Sequence, residues 1–453
     1  MADLVFLIQN KASLLLHEPG TGKTPTVCVN QYRRAMTGIG RTIWAQPKSL
    51  IAKNKRELLR FTDFKDADVA IVDGTKAQID KAMRSDAAVL LMGSDRYKLS
   101  AGQIPPAYNC FDVDEIHMAY GGGASARTGA FLQHKTVESV MMSGTLINGR
   151  LDSAWPAIHK VEPRYYPMGL EGFMNTHAIL DDYGKVMFWK NHHKLAQIFG
   201  KHGIRRTFDE IYGKQSVVIQ VEEMDLSPRQ KARYEEYEEK ALIELDDVII
   251  DGIEGGALAR ARAIMEHPRH FHDPRQPGET LDIVDGELTA KEESLLIHLE
   301  DHRRTGKPLV IFAALRAQQK EIHRLVQKAG LTACLIDSAA SAKRRGEHDE
   351  GFVRGDYQVM VGSAQIAAVG FNWQFWGPNR VEVDHVMFAS INHLDGDFIQ
   401  AYRRVVRETR HTGLRVTVQR YRDTLERKIH ANVCRKSREA NKVDPTREIL
   451  AFA

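Results

Sequence analysis

The chain has 453 residues, 43% of them hydrophobic and 27% charged; it is too long for one ordinary core and too apolar for a disordered chain, so two large domains are expected. Four scattered cysteines, Cys28, Cys110, Cys334 and Cys434, with no C-x-x-C pair and no histidines at zinc-finger spacing, exclude a disulfide framework and a structural zinc and suit a reducing compartment. The formal charge is only +4, yet residues 400–442 hold thirteen Lys/Arg against four Asp/Glu, an asymmetry that points to a polyanion partner near the C-terminal end.

At the N-terminus the run "DLVFLIQNKASLLL" is interrupted by Gln9, Asn10 and Lys11, and Asp3 stands where a signal peptide needs positive charge; no later stretch approaches a membrane span. Short apolar runs then alternate with amphipathic segments: "SLLLH", "RTIWAQP", "VAIVD", "AVLLMG", "YNCFDVDE" and "SVMMSGT". This is the rhythm of a parallel sheet buried on both faces. A charged helical segment follows, "SPRQKARYEEYEEKALIELDDVI", with Ser227 as N-cap and Pro228 at the first helical position; after it, "HPRHFHDPRQPGE" reads as a loop. A second series, "PLVIFAAL", "TACLIDS", "QVMVGSA", "HVMFAS" and "LRVTVQRY", begins past residue 290. The expected fold is therefore α/β: a first lobe over 1–225, a helical segment over 226–285 and a second lobe over 286–453.

In "HEPGTGKTPT", residues 17–26, Gly20 and Gly22 leave backbone N–H groups uncovered, and the helix that follows presents its positive end, so Gly20 to Thr24 form a loop able to cradle phosphate. Lys23 is expected to reach the β/γ-phosphates and the Thr24 hydroxyl to hold magnesium. Pro25 fits, because a first-turn N–H has no intrahelical partner to lose. "FDVDEIH", residues 111–117, ends an apolar run in two carboxylates. Beside such a loop, Asp114 is placed to hold the metal and Glu115 to polarise an attacking water.

Taken in order, these segments resemble the superfamily-two nucleic-acid translocases, and within them the SWI/SNF-like DNA-dependent ATPases. "HEPGTGKT" looks like that family's D-E-M-G-L-G-K-T, with Glu18 in the same relative place; "TIWAQPKSLIAKNKRELLRF" resembles its next motif, and "MMSGTLINGRLDSAWPAIHKVEP" its T-G-T-P-I-Q-N-N-L-x-E-L-W segment. "VEEMDLSPRQKARYEEY" and "ARAIMEHPRHF" are similar to its inter-lobe segments. "GSAQIAAVGFNWQ" resembles S-T-x-A-G-G-x-G-L-N-L, with Gly370 and Asn372 matching but Ala367 and Ala368 in place of two glycines. "QAYRRVVR" matches Q-A-x-x-R-x-x-R at Gln400, Arg404 and Arg407, whose spacing puts all three on one face of a continuing helix. After Arg407 the family's R-I-G-Q ending is replaced by "RETRHTG". Ahead of its phosphate loop the family has an extra helix with an adenine-reading glutamine; before His17 little more than a strand and a short helix are expected to fit, which implies a nucleotide held mainly by its phosphates and ribose.

The resemblance implies two RecA-like lobes with ATP and Mg2+ held by the first, at Glu18, Gly20, Thr21, Gly22, Lys23 and Thr24, and met from the second by Gly370, Gln400 and the arginine fingers Arg404 and Arg407. It implies a DNA partner, duplex or branched, gripped chiefly by its phosphates through Lys48, Ser49, Ser143, Gly144, Thr145, Ser363 and Asn372. Trp373 or Trp376 could stack on a base, although packing explains either as well. So lean a chain resembles prokaryotic or viral members, which implies a cytoplasmic location, or a nuclear one in a eukaryote. Two alternatives stay open: a strand-separating DNA or RNA helicase, and a non-hydrolysing nucleic-acid clamp.

Overall fold

Every apolar run of the two alternating series becomes a strand, whereas the N-terminal run opens with a helix, Ala2–Gln9. In the computed structural model, which describes residues 2–120, 125–147, 149–251, 256–273, 279–367 and 370–452, the strands in chain order begin with β1 (Ala12–Leu15), β2 (Thr42–Gln46), β3 (Val69–Ile71), β4 (Val89–Gly93), β5 (Cys110–Val113) and β6 (Glu138–Met142). A hairpin of β7 (Ala178–Leu180) and β8 (Val186–Trp189) precedes β9 (Gly203–Ile204). The first sheet runs β3-β4-β2-β5-β6-β1-β9, parallel at every pairing. β2 and β6 are buried at every residue, which is why they read as unbroken apolar runs rather than as an alternation.

The second sheet draws on β10 (Val217–Met224), β11 (Leu309–Phe312), β12 (Ala333–Ile336), β13 (Val359–Gly362), then, past a short antiparallel pair β14 (Phe375–Trp376) and β15 (Val381–Glu382), on β16 (His385–Phe388) and β17 (Leu414–Tyr421). Its order is β10-β17-β16-β11-β13-β12, again parallel. The chain divides into a unit of residues 1–214 with 439–447 and a unit of 215–438 with 448–453. β10, placed by the sequence reading at the end of the first lobe, pairs residue for residue with β17 in the second sheet. Its alternating exposure marks it as an edge strand with one covered face, and such a pattern carries no label for the sheet it joins.

The helix Pro228–Asp251 starts where expected, with the Gln230 N–H donating to Ser227 Oγ at 3.3 Å and the Ser227 N–H to Gln230 Oε1 at 3.4 Å. The loop expected around residues 267–279 holds a short 3-10 turn, Pro268–His270, and its 274–278 stretch lies outside the described residues. All four cysteines are free and buried. Among the described residues no helix is long and apolar enough to cross a membrane.

Candidate active site

Because the first sheet is parallel, the loops that leave the carboxyl ends of β2, β5, β6 and β1 open along one edge, and these four strands are consecutive neighbours. Every first-lobe residue singled out by sequence follows one of them. That edge is where open α/β sheets bind ligands.

After β1 the chain turns through Gly20 (φ 88°) and Gly22 (φ 90°) into the helix Lys23–Met36. No atom lies within 4 Å of a Cβ built on Gly22, so its left-handed backbone, and not crowding, calls for glycine there. The Lys23 ammonium donates to the carbonyls of His17 at 2.5 Å and Glu18 at 3.3 Å, and Thr21 Oγ1 donates to Glu18 O at 2.7 Å. The loop is thus folded on itself with its glycine backbone outward. Thr24 sits half-buried in the first helical turn, beside Lys23.

Glu18, matched by resemblance to a nucleotide-binding position, is engaged elsewhere: its carboxylate accepts the Phe208 N–H at 2.8 Å and faces Arg205 Nη2 at 3.4 Å. Arg205 also donates to Leu16 O at 2.6 Å and pairs with Asp444 at 3.0 Å. His17 is fully buried with its Nε2 3.0 Å from Asp3 Oδ2, and burial holds its imidazole below its ordinary pKa against the pull of Asp3. Asp3 also takes Arg206 Nε at 3.2 Å. Sequence reasoning missed Asp3, Arg205 and Arg206; the visible signal was the paired arginine following "GI", at the strand β9 that pairs with β1.

At the end of β5, Asp114 and Glu115 are both buried. Burial, and then the neighbouring Glu115 charge, push the Asp114 carboxyl up to about 6, while Lys23 pulls the other way. Lys23 and the carboxylate pair therefore share one electrostatic site. Glu115 lies at φ 48°, a backbone region that costs a non-glycine residue about 1–3 kcal/mol and that recurs where a side chain must be aimed. His117 Nδ1 lies 3.6 Å from Glu115 Oε2 and 2.8 Å from Ser143 Oγ, and its Nε2 lies 3.4 Å from Thr145 Oγ1. The Thr145 N–H donates to Ser143 Oγ at 3.0 Å. Gly144 lets the loop press on the cradle, since a Cβ there would come within 3.0 Å of Pro19 Cδ and 3.1 Å of His17 O. His117 links the carboxylates to the 143–145 turn, and that turn packs closely against the loop.

Of the nucleic-acid candidates, Ser143, Gly144, Thr145 and Ser363 are buried, whereas Lys48, Ser49 and Asn372 are exposed. Lys48 pairs with Asp73 at 2.9 Å on the wall of a cavity of about 370 Å³, which Gln46, Arg96 and Met118 also line. Trp373 is fully buried, donates Nε1–H to Asp349 at 2.7 Å and stacks on Phe371, so it is core and not a base platform. Trp376 is half-buried with its Nε1 on Tyr357 O at 2.7 Å.

In the second unit the expected single helical face is not formed. The helix Asp395–Tyr402 stops and passes into a 3-10 turn, Arg403–Val405. The Gln374 carboxamide oxygen captures the N–H groups of Arg407 at 2.7 Å and Glu408 at 2.8 Å, which removes those donors from any continuing helix. The arginines nonetheless converge: Arg404 Nη1 at 3.5 Å and Arg407 Nη2 at 3.0 Å both reach Phe371 O, next to Gly370 at φ 90°. Gln400 is buried on the helix behind them. Ala367 is described and buried; Ala368 lies outside the described residues.

Among the described residues no group of three or more His, Cys, Asp and Glu could hold a metal by itself. The Thr24 hydroxyl and the Asp114 carboxylate are hard oxygen donors of the kind magnesium takes when phosphate oxygens and water complete its octahedron, so the donor set fits that ion.

No protein-family model and no curated protein sequence matches the chain. Two solved structures are similar to it over nearly their whole length. The SWI2/SNF2 ATPase core of Sulfolobus solfataricus in complex with dsDNA is 16% identical, with 99% of this chain and 95% of that one covered and a TM-score of 0.43. The Hef helicase domain of Pyrococcus furiosus is 15% identical, with 95% and 96% covered and a TM-score of 0.50. At such identity the likeness is one of fold: the two parallel sheets, each flanked by helices, have the fold of RecA-like lobes.

Proposed function

We propose that the chain is an ATP-hydrolysing motor that moves on duplex or branched DNA, remodelling or reannealing it. The observation that carries the reading is the shared site of Lys23, Asp114 and Glu115 at the edge of four adjacent strands. Backbone N–H groups of Gly20 to Thr24 bind the phosphates, and Lys23 exchanges its loop carbonyls for the β/γ-phosphate oxygens. Glu115 orients the attacking water and accepts its proton, and His117 carries the change at Glu115 to Ser143 and Thr145. Magnesium, held by Thr24 and Asp114, would neutralise charge on the phosphates. Arg404 and Arg407 stabilise the charge of the transferring phosphoryl group, an assignment that rests on their motif match; Lys48, Ser49 and Asn372 contact the DNA backbone.

ATPase measured side by side with single-stranded, duplex, forked and RNA polymers is the direct test. Duplex without ends is expected to stimulate most, and Glu115→Gln to lower turnover about 10²–10⁴-fold while ATP still binds. Equal turnover in that variant would remove the catalytic assignment; stimulation by single strands together with unwinding of the fork would favour a strand-separating helicase.

A further inference from the structure

The C-terminal basic segment is not absorbed by the site above. Much of it becomes the helix Leu425–Val443. On that helix Leu425, Ile429, Val433, Cys434 and Ser437 are buried, whereas Arg427, Ala431, Arg435 and Arg438 are exposed. At about 100° per residue these four fall within an arc of about 80°, and Arg427 and Arg438 are about 16 Å apart along the axis. The outward face is a straight row of guanidiniums with a small residue at its centre.

Three exposed helical arginines of the same unit are neutralised within their own helix three residues away: Arg303 by Glu300 at 2.7 Å, Arg304 by Asp301 at 2.9 Å and Arg324 by Glu321 at 2.6 Å. The row on the terminal helix has no such arrangement. Arg435 donates to the neutral Asn432 side chain at 2.8 Å, and among the described residues Arg427 and Arg438 have no ion pair. Unlike those three arginines, Arg427 and Arg438 keep their charge, and it is only past the row that Lys442 pairs with Glu439, at 2.5 Å.

We infer that Arg427, Arg435 and Arg438 form a docking line for a nucleic-acid phosphate backbone, separate from the contacts proposed at the sheet edges. The inference rests on the reading of the chain as a DNA motor. A duplex carries one negative charge per about 1.7 Å, so a line of this length meets several phosphates in any register, and each planar guanidinium can take two oxygens of one. Ala431 leaves the surface between Arg427 and Arg435 low enough for close approach.

The test is anisotropy of a labelled mixed-sequence duplex with the full chain between 50 and 200 mM salt. For the triple variant Arg427→Gln, Arg435→Gln, Arg438→Gln the slope of log affinity against log salt is expected to fall by about 2.7, at about 0.9 per phosphate contact. Between those salt concentrations its binding would therefore weaken roughly 40-fold less than wild type. The matched variant Arg303→Gln, Arg304→Gln, Arg324→Gln removes the same charge from paired positions and is expected to keep the wild-type slope. ATPase without DNA stays unchanged in both. If wild type binds duplex and the first variant matches its affinity and slope, or if both variants lose equally, the docking line is refuted while the motor reading stands. Wild type that binds no duplex and hydrolyses no ATP overturns both. Loss of poly-glutamate binding with duplex binding retained would assign the row to an acidic protein instead.

Discussion

Each lobe has its own parallel sheet, yet the two tie helices to those sheets through different buried polar groups. In the first, Asp112 on β5 is fully buried and accepts from Arg34 Nη1 at 2.9 Å, Gln31 Nε2 at 2.8 Å and the Val140 N–H at 3.0 Å, while Arg34 Nε reaches Glu138 on β6 at 2.9 Å. In the second, the helix Ala290–Thr305 is tied to its sheet through imidazoles: His302 faces His385 at 2.9 Å and His385 Nε2 faces Thr417 Oγ1 at 2.9 Å. The first lobe is locked by a charged cluster; the second adds neutral rings to a buried ion pair of its own, Lys291 of the same helix with Glu426 at 2.6 Å. The charged lock stands beside the proposed site, because Arg34 and Lys23 share one helix, and Asp112 lies on the strand that leads to Asp114 and Glu115.

Breaking the charged lock is expected to have the largest effect. Arg34→Met leaves the fully buried Asp112 without its cation, while Glu138 keeps Arg33, a change that costs about 3–5 kcal/mol, read by urea unfolding with the buried Trp44 as the reporter of the first lobe. Adding Asp112→Leu should recover part of the loss, since an apolar replacement of the whole pair costs much less than half of it. A single variant as stable as wild type would show that the guanidinium does not hold helix and strand together.

This asymmetry also sets what was legible in the sequence. The buried strands and the glycine turn into the helix Lys23–Met36 showed because both are local: an apolar run needs only its own residues, and Gly20, Gly22 and Lys23 stand within four positions. Arg34 and Asp112 were silent, because a charged residue in a helix or a strand end reads as solvated unless its distant partner is known. The end of the helix at Tyr402 was equally hidden. It depends on Gln374, a residue far back in the chain whose side chain intercepts two backbone donors, so spacing at Gln400, Arg404 and Arg407 suggested a face that the backbone does not build. Glu18 was matched by position to a nucleotide contact, and only the fold brings it against Phe208.

The neutral lock predicts a smaller effect with a definite pH window. Burial, reinforced by the Arg415 charge, pushes the His385 imidazole down to about 2, and burial also lowers His302. A ring whose folded pKa lies below its unfolded value near 6.5 contributes stability that is complete above that value and is lost as pH falls, because the unfolded chain then binds the proton first. Below about pH 6.5 the second lobe should therefore weaken by about 1.4 kcal/mol per pH unit for each such ring. In His385→Gln the acid limb of stability against pH should be shallower by one ring's share. An unchanged slope would place the acid sensitivity in other groups.

The smallest expected effect tests whether the first lobe's loops work as one piece. Gly144→Ala puts a Cβ 3.0 Å from the Pro19 ring and 3.1 Å from the His17 carbonyl, two stiff neighbours that must give by a few tenths of an ångström, at a cost on the order of 1 kcal/mol. Because His17 O is also the carbonyl that Lys23 grips, the same displacement should raise KM for ATP a few-fold. Gly413→Ala in the second lobe is the matched control, since its new Cβ meets nothing nearer than Ser216 Oγ at 3.5 Å, and it should change neither quantity. If the two alanines behave alike, the 143–145 turn touches the cradle without controlling it, and the relay from Glu115 through His117 ends at Thr145.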